Sequence, residues 1–536
     1  MLHLFQRSHK SSLFLVEIVL LLLALACFVF FYFYYPYHLF HKEQILLFTY
    51  TESAFRAYLH RPAFLSCLVG DFLTQFYVYH LGGPFLVSCV LYLLSRTTYV
   101  LLRRFMPSGL AFGFVVILFV WEAMRHTGLH YLLSSSLSLL GGCLLFMLIE
   151  HIRFSLPVRL LLQLLCLLLG YILFGYGIFI TLICLFCSEL SRSNLKSRLA
   201  IAIVLLFVIA IPYVAKDYYL QTALQAYTYP ASSWWEKPDF LHEELLALDI
   251  EASNEKWNEV IRLSENNKSV SAVRFYRNLA YAVKGELPDY LLSERAPALS
   301  DLFIPITSQS SYLSTLFAGE GWYQMGDLTM AEHATLLGMI FSPTHQGSRM
   351  IKRLAEIQLL LGDYNAALKY LRILSHTFYY RDWALQRMSE KQTPAVQEWL
   401  SVRQKLLTKS DTLRVSTVDI EKSLRLLLDS NPDNYVARDY LLCSHLLRKD
   451  INAFLQDYKP DPGVAPKRLY AEALLIDLVR RKAGAEEIRC TIVDSNVMQD
   501  FKLYNRLYYQ SGSDPEVLAP QFGHTYWFYF HFVKPQ

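Results

Sequence analysis

The sequence predicts an all-α protein in two parts, a polytopic helical membrane domain followed by an α-helical solenoid. Three observations carry this reading. Charge divides unevenly along the 536 residues: residues 1–215 hold 14 Lys/Arg and 7 Asp/Glu, whereas residues 216–536 hold 36 and 39. The first part is a succession of apolar runs, each closed by charge, Pro or Gly, and the second is built of amphipathic segments at helical spacing. Hydrophobic residues make up 54% of the chain and Gly and Pro are ordinary, which excludes a disordered or collagen-like chain.

Residues 13–35 follow Arg7 and Lys10 and run apolar into Tyr32, Tyr34, Tyr35 and Tyr37. About 20 apolar residues are needed to cross ~30 Å at ~1.5 Å per residue, so this is a spanning helix and is too long for a cleaved signal. Further apolar runs lie at 82–101, 107–124, 129–149, 157–174, 176–190 and 199–214. Gly170, Gly175 and Gly177 mark a hairpin within 157–190, with a single long helix as the alternative. Residues 36–81 form a membrane-associated external loop, because His41, Lys42, Glu43, Glu52, Arg56, His60, Arg61 and Asp71 are too many polar groups for a lipid-facing span.

Positive-inside counting supports seven spans without 62–80. Arg7, Lys10, Arg103, Arg104, Arg153, Arg159, Arg192, Lys196 and Arg198 then share the cytoplasmic side, and the opposite short loops keep Lys42, Arg56, Arg61 and Arg125. This puts the N-terminus in the cytoplasm and the polar half in the periplasm of a bacterial inner membrane. The net charge of +4 is thus the remainder of a topology signal and implies no nucleic-acid partner. The cysteines follow the same logic: seven of nine lie in apolar segments, and the Cys184/Cys187 pair has no second pair or nearby His to make a metal or redox site.

Residues 216–239 read as an aromatic juxtamembrane linker, with Trp234 and Trp235 closing a collar of tyrosines. From 240 to 515 the pattern is one of helix pairs. Gly326-Asp327 and Gly362-Asp363 are 36 residues apart, with small residues (Gly319, Ala331, Ala334; Ala355, Ala366, Ala367) where paired helices must approach. A third unit follows Asn431-Pro432-Asp433, with Lys449-Asp450, and Lys284-Gly285-Glu286-Leu287 suggests an earlier one. The spacing is close to the 34 residues of the tetratricopeptide repeat, which this stretch resembles. That resemblance implies a concave face for protein or peptide partners. Residues 516–536 form an aromatic C-terminal segment expected to pack on the last repeat.

The chain has no Walker loop, dinucleotide fingerprint, HExxH, GxSxG or kinase set. Neither a metal nor a cofactor is assigned. Any chemistry therefore falls to acidic groups near the membrane: Glu43 and Glu52 after the first span, and Asp71, one helical turn before Gln75. For each the structural alternative is a bond to a helix end, to solvent or, for Asp71, to Arg56 or Arg61. Glu122 and His126 are spaced to pair across one turn, and Arg125 with His130 offers a modest anion site. Glu17 and Glu189 read as snorkelling or paired with Arg192.

Three patterns together resemble an uncharacterised family of bacterial inner-membrane proteins: Glu43-Gln44 with Leu47 and Phe48, Phe72-Leu73-Thr74-Gln75-Phe76-Tyr77, and Thr525-Tyr526-Trp527-Phe528-Tyr529. Arg61-Pro62-Ala63 stands where that family leads one to expect Pro-Gly-Gly. The layout is also similar to the core of the GT-C glycosyltransferases, which move sugar from a polyprenyl-phosphate carrier and use an acidic residue of the first external loop. That likeness implies Glu43, Asp71 or Glu52 as the catalytic carboxylate and Arg56, Arg61 and Arg125 as carrier-phosphate ligands. The chain departs from it in lacking an adjacent acidic pair in the loop and in having few spans after the seventh. The competing expectation is a non-catalytic, membrane-anchored scaffold for envelope-assembly partners.

Overall fold

The computed structural model describes residues 2–150, 156–190, 195–231, 236–293, 297–389, 393–408, 420–460, 464–484 and 493–534, and among these there are helices and no strand. Trp234, Trp235, Arg192 and the side chain of Glu189 lie outside the described residues. The all-α expectation holds. The chain forms two compact units. One comprises Met1–Glu243 together with Pro343–Ile351 and Leu371–Leu385, and the other Glu244–Ser342, Lys352–Tyr370 and Gln386–Gln536.

In the first unit all seven apolar segments are helical: α1 (Leu2–Val29, extended by a π-helical turn Phe30–Tyr34), then α2 (Pro36–Gln44), α3 (Glu52–Leu59) and α4 (Phe64–Thr74) before α5 (Gly82–Leu102), α6 (Ser108–Arg125), α7 (Leu133–Glu150), α8 (Leu156–Phe174), α9 (Ile178–Leu190) and α10 (Leu195–Tyr218). Among the described residues, five stretches are long and apolar enough to cross a bilayer: Phe14–Tyr34, Gly82–Leu102, Ser108–Arg125, Leu133–Glu150 and Val158–Ser188.

The last stretch is continuous in hydropathy but not in direction. Leu145 lies against Gly170 and Gly141 against Phe174, so α8 runs antiparallel to α7. Gly175 then takes φ +55, a conformation that costs glycine little, and the chain turns through Gly175–Gly177. Gly177 meets Ser138, and four residues on Thr181 Oγ1 donates to the Gly142 carbonyl at 2.7 Å, so α9 returns parallel to α7. A Cβ on Gly142 would stand 2.0 Å from the Gly177 carbonyl oxygen, which shows how closely the backbones approach. The 157–190 run is therefore a helical hairpin, and the 13 residues of α9 cover only ~20 Å.

The 62–80 run is not a full span either. It forms the 11-residue α4 and a short 3-10 turn, and Gly70 packs directly on the Ser134 backbone of α7. Its entry turn uses Ala63 at φ +56, the left-handed region, where the resemblance leads one to expect glycine. A Cβ there costs about 1 kcal/mol. Glu17 bonds Arg96 Nε and the Tyr92 hydroxyl, both at 2.8 Å, so it neither snorkels nor needs Arg192.

In the second unit the paired residues picked out in the sequence make one kind of turn. Gly326 (φ +89), Gly362 (φ +79) and Lys449 (φ +60) each end a helix in the left-handed conformation. The following Asp327, Asp363 and Asp450 each cap the next helix, accepting from Met330, Ala366 and Ala453 N–H at 3.0, 2.9 and 2.9 Å. Gly319, Ala331 and Ala334 are buried where Tyr312–Met325 meets Leu328–Phe341. The C-terminal helix Tyr526–Phe532 is covered: Trp527 is fully buried, its indole N–H donates to the Glu472 carbonyl at 3.1 Å, and Tyr529 donates to Leu447 O at 2.7 Å.

Candidate functional site

The site is built where α1 gives way to α2. The π turn ends at Tyr35 (φ −143, ψ 42), and Pro36 starts α2 at a position that has no use for an N–H. The free N–H groups of Tyr37 and His38 donate to the Glu243 carboxylate at 2.6 and 2.9 Å. Burial nonetheless pushes the Glu243 carboxyl up to about 8. Of the nine residues of α2, His38, Leu39, His41, Lys42 and Glu43 are buried, four of them titratable.

Neighbouring Lys42 and Glu43 reach different partners. Lys42 Nζ donates to the carbonyls of His126 and Tyr131, both at 2.8 Å. His126 is the C-cap of α6, so the amine meets the negative end of that helix. Burial pulls the amine down to about 7, against the opposing pull of Glu236. Glu43 accepts from Ser348 Oγ and the Tyr380 hydroxyl, each at 3.2 Å, and burial pushes its carboxyl up to about 8.

Ser348 and Tyr380 belong to the two short segments that join this unit from far along the chain. These segments grip the non-helical stretch 46–50 by its backbone: Ser348 N–H donates to Leu46 O at 3.0 Å, and Tyr50 N–H donates to His376 O at 2.8 Å. Phe378 and Tyr379 set their rings 5.4 and 6.2 Å from those of Phe76 and Tyr79. Inside this clasp, Glu43, Phe48, Gln75, Ser348, Thr377 and Tyr380 line a partly open cleft of about 20 Å³, room for one water.

The other sequence-predicted residues are dispersed. Asp71 is buried and accepts the Tyr58 hydroxyl at 2.8 Å. Burial pushes its carboxyl up to about 6, while Tyr58 and Arg61 hold it down. Arg61 stacks 5.2 Å from the Tyr58 ring centre. Glu52 and Arg56 pair with each other at the exposed surface of α3, away from the cleft. Arg125 is buried, bonds Glu122 at 2.9 Å and lies 4.0 Å over the Tyr131 ring. Glu122 and His126 do not pair directly but converge on Ser136 Oγ, at 2.7 and 2.9 Å. Sequence reading missed Ser348 and Tyr380, which stand 305 and 337 residues from Glu43, beyond any local signal. It also passed over Lys42, although four polar residues crowded into one short helix were a usable hint.

Apolar helices long enough to cross a bilayer, joined to a second all-helical unit, make this a helical membrane protein. More specifically, the chain belongs to the family of unknown function DUF6057, whose family model matches residues 11–533 and so takes in both the apolar and the polar halves. No curated protein and no solved structure matches it.

Proposed function

We propose that this protein is a membrane-anchored scaffold of the bacterial inner membrane, with its N-terminus cytoplasmic and its polar half periplasmic. In this reading the helix pairs act as tetratricopeptide-like repeats that hold protein or peptide partners of envelope assembly. The observation that carries it is how the nominated reactive groups are engaged. Glu43 is bonded to two hydroxyls, Asp71 to a third, Arg125 to Glu122, and Glu52 to Arg56. In this reading these groups work as structural ties, and the cleft beside Glu43 has room for about one water. The test is complementation of a deletion strain, scored by envelope integrity. Glu43→Gln and Asp71→Asn should complement fully, and a chain cut after residue 385, which keeps every segment of the first unit, should not. Loss of complementation by either point variant at unchanged protein level and thermal stability would overturn the scaffold reading.

One observation favours a second reading. The short helices α2, α3 and α4, carrying Glu43, Glu52 and Asp71, lie between the first two spanning stretches, as in the GT-C layout. In that case the protein transfers sugar from a polyprenyl-phosphate carrier, with Glu43 or Asp71 as base and Arg61 near the phosphates. Reporter fusions after residues 80 and 240 separate the topologies, since a cytoplasmic polar half excludes periplasmic sugar transfer.

A further inference from the structure

Phe378 and Tyr379 lie well inside the polar half of the sequence, yet they belong to the unit that contains the spanning stretches. They are 50% and 49% exposed, while their neighbours Thr377 and Tyr380 are turned inward. The outward pose is fixed by the backbone. Tyr50 N–H holds His376 O, Thr377 Oγ1 donates to Leu374 O at 2.7 Å, and Tyr380 is tied to Glu43. Two large rings are thus held out by a rigid turn, where the apolar effect alone would fold them in.

Their level relative to the spans can be read from contacts. The Phe378 ring is 5.4 Å from Phe76 and the Tyr379 ring 6.2 Å from Tyr79. Tyr79 comes three residues before Gly82, where α5 begins, and Leu81 and Phe85 beside that start are exposed. His80 places its ring 4.4 Å from Tyr32, near the end of the Phe14–Tyr34 stretch, where Phe33 and Tyr34 are exposed. Two spanning stretches therefore begin or end at this level, and the 378–379 pair packs against residues 76 and 79, just before the second of them. Aromatic side chains favour the boundary between headgroups and hydrocarbon, where an apolar ring and a polar hydroxyl are both accommodated.

We propose that Phe378 and Tyr379 are a lipid-docking element, inserted into the interface of the bilayer that the first unit spans. The turn is then a second, non-spanning anchor, placed in the sequence after the last spanning stretch. This goes beyond the scaffold reading and holds whichever function is correct.

The test uses the full chain in phosphatidylcholine/phosphatidylglycerol vesicles, with the photo-crosslinker p-benzoylphenylalanine at position 378, 379 or, as a comparator inside the first span, 33. After irradiation, adducts are identified by mass spectrometry. Lipid adducts at 378 and 379 in yield comparable to position 33 are expected. Lipid adducts at 33 with none at 378 and 379 would overturn the proposal. So would crosslinks from 378 or 379 to another protein or a second copy of the chain, since the patch would then be a protein interface.

Discussion

In the unit that contains Glu244–Ser342, the buried Arg353 is met by opposite charge, whereas the buried Lys42 and Glu43 of α2 are met by neutral groups. Arg353 bonds Glu320 at 2.7 Å and Glu356 at 3.1 Å and lies 3.7 Å over the Tyr323 ring. Arg403 covers the same ring at 4.8 Å and bonds Gln324 and Glu255. Burial alone would lower the Arg353 pKa, but Glu320 and Glu356 outweigh it and hold the guanidinium above its ordinary range. Among the described residues, the hydrogen-bond partners of Glu43 and Lys42 are hydroxyls and carbonyls. The Arg353 guanidinium keeps its charge at any physiological pH. The α2 arrangement leaves a carboxyl near 8 and an amine near 7, both titrating in the range where a cell works.

The largest effect should come from breaking a charge-for-charge contact. Arg353→Met leaves Glu320 and Glu356 buried without their guanidinium and should cost about 3–5 kcal/mol, read from denaturation of the purified protein in detergent. Lys42→Met strands two carbonyls and should cost about 1–3 kcal/mol at alkaline pH. The wild-type amine titrates near 7 in the fold and near 10.5 unfolded, so the unfolded chain binds more protons in between. The contribution of Lys42 therefore falls as pH drops through that window, and the gap to Lys42→Met should narrow towards pH 7.

Glu43 has the opposite sign. Its carboxyl holds a proton up to about 8 in the fold but only to about 4.5 when unfolded. Its contribution is complete below pH 4.5 and is lost as pH rises to about 8. Across that range the melting temperature of wild type should fall relative to that of Glu43→Gln. Glu43→Gln, which keeps an acceptor for one hydroxyl, should flatten this dependence and match the wild type at acidic pH. A wild-type advantage over Glu43→Gln that grows as pH rises over this range would contradict the assignment. The smallest effect belongs to Glu52→Gln: its pair with Arg56 is exposed, so the melting temperature should not move measurably, even in low salt.

What the sequence disclosed follows contact range. The seven apolar helices and the turns at Gly326-Asp327, Gly362-Asp363 and Lys449-Asp450 depend on periodicity, glycine freedom and capping within a few residues, all of which can be read locally. The glycine-marked hairpin at 175–177 is of the same kind. Asp71 was legible as a buried carboxylate, but its partner, Tyr58, is set by how α3 meets α4. The double stacking of Arg353 and Arg403 on Tyr323 joins three separate helices and left no signal along the chain.

The clasp on residues 46–50 also sets a timetable. Tyr380 is made 337 residues after Glu43, which at ~5–20 residues per second is a delay of roughly 15–70 s. Throughout that interval the Leu46 carbonyl, the Tyr50 amide and the Glu43 carboxyl have no clasp to satisfy them, although the spanning stretches are already complete. Assembly of the membrane unit is thus the last event of its own synthesis. A chain cut anywhere before about residue 385 would leave that unit unfinished as well as truncating the polar half.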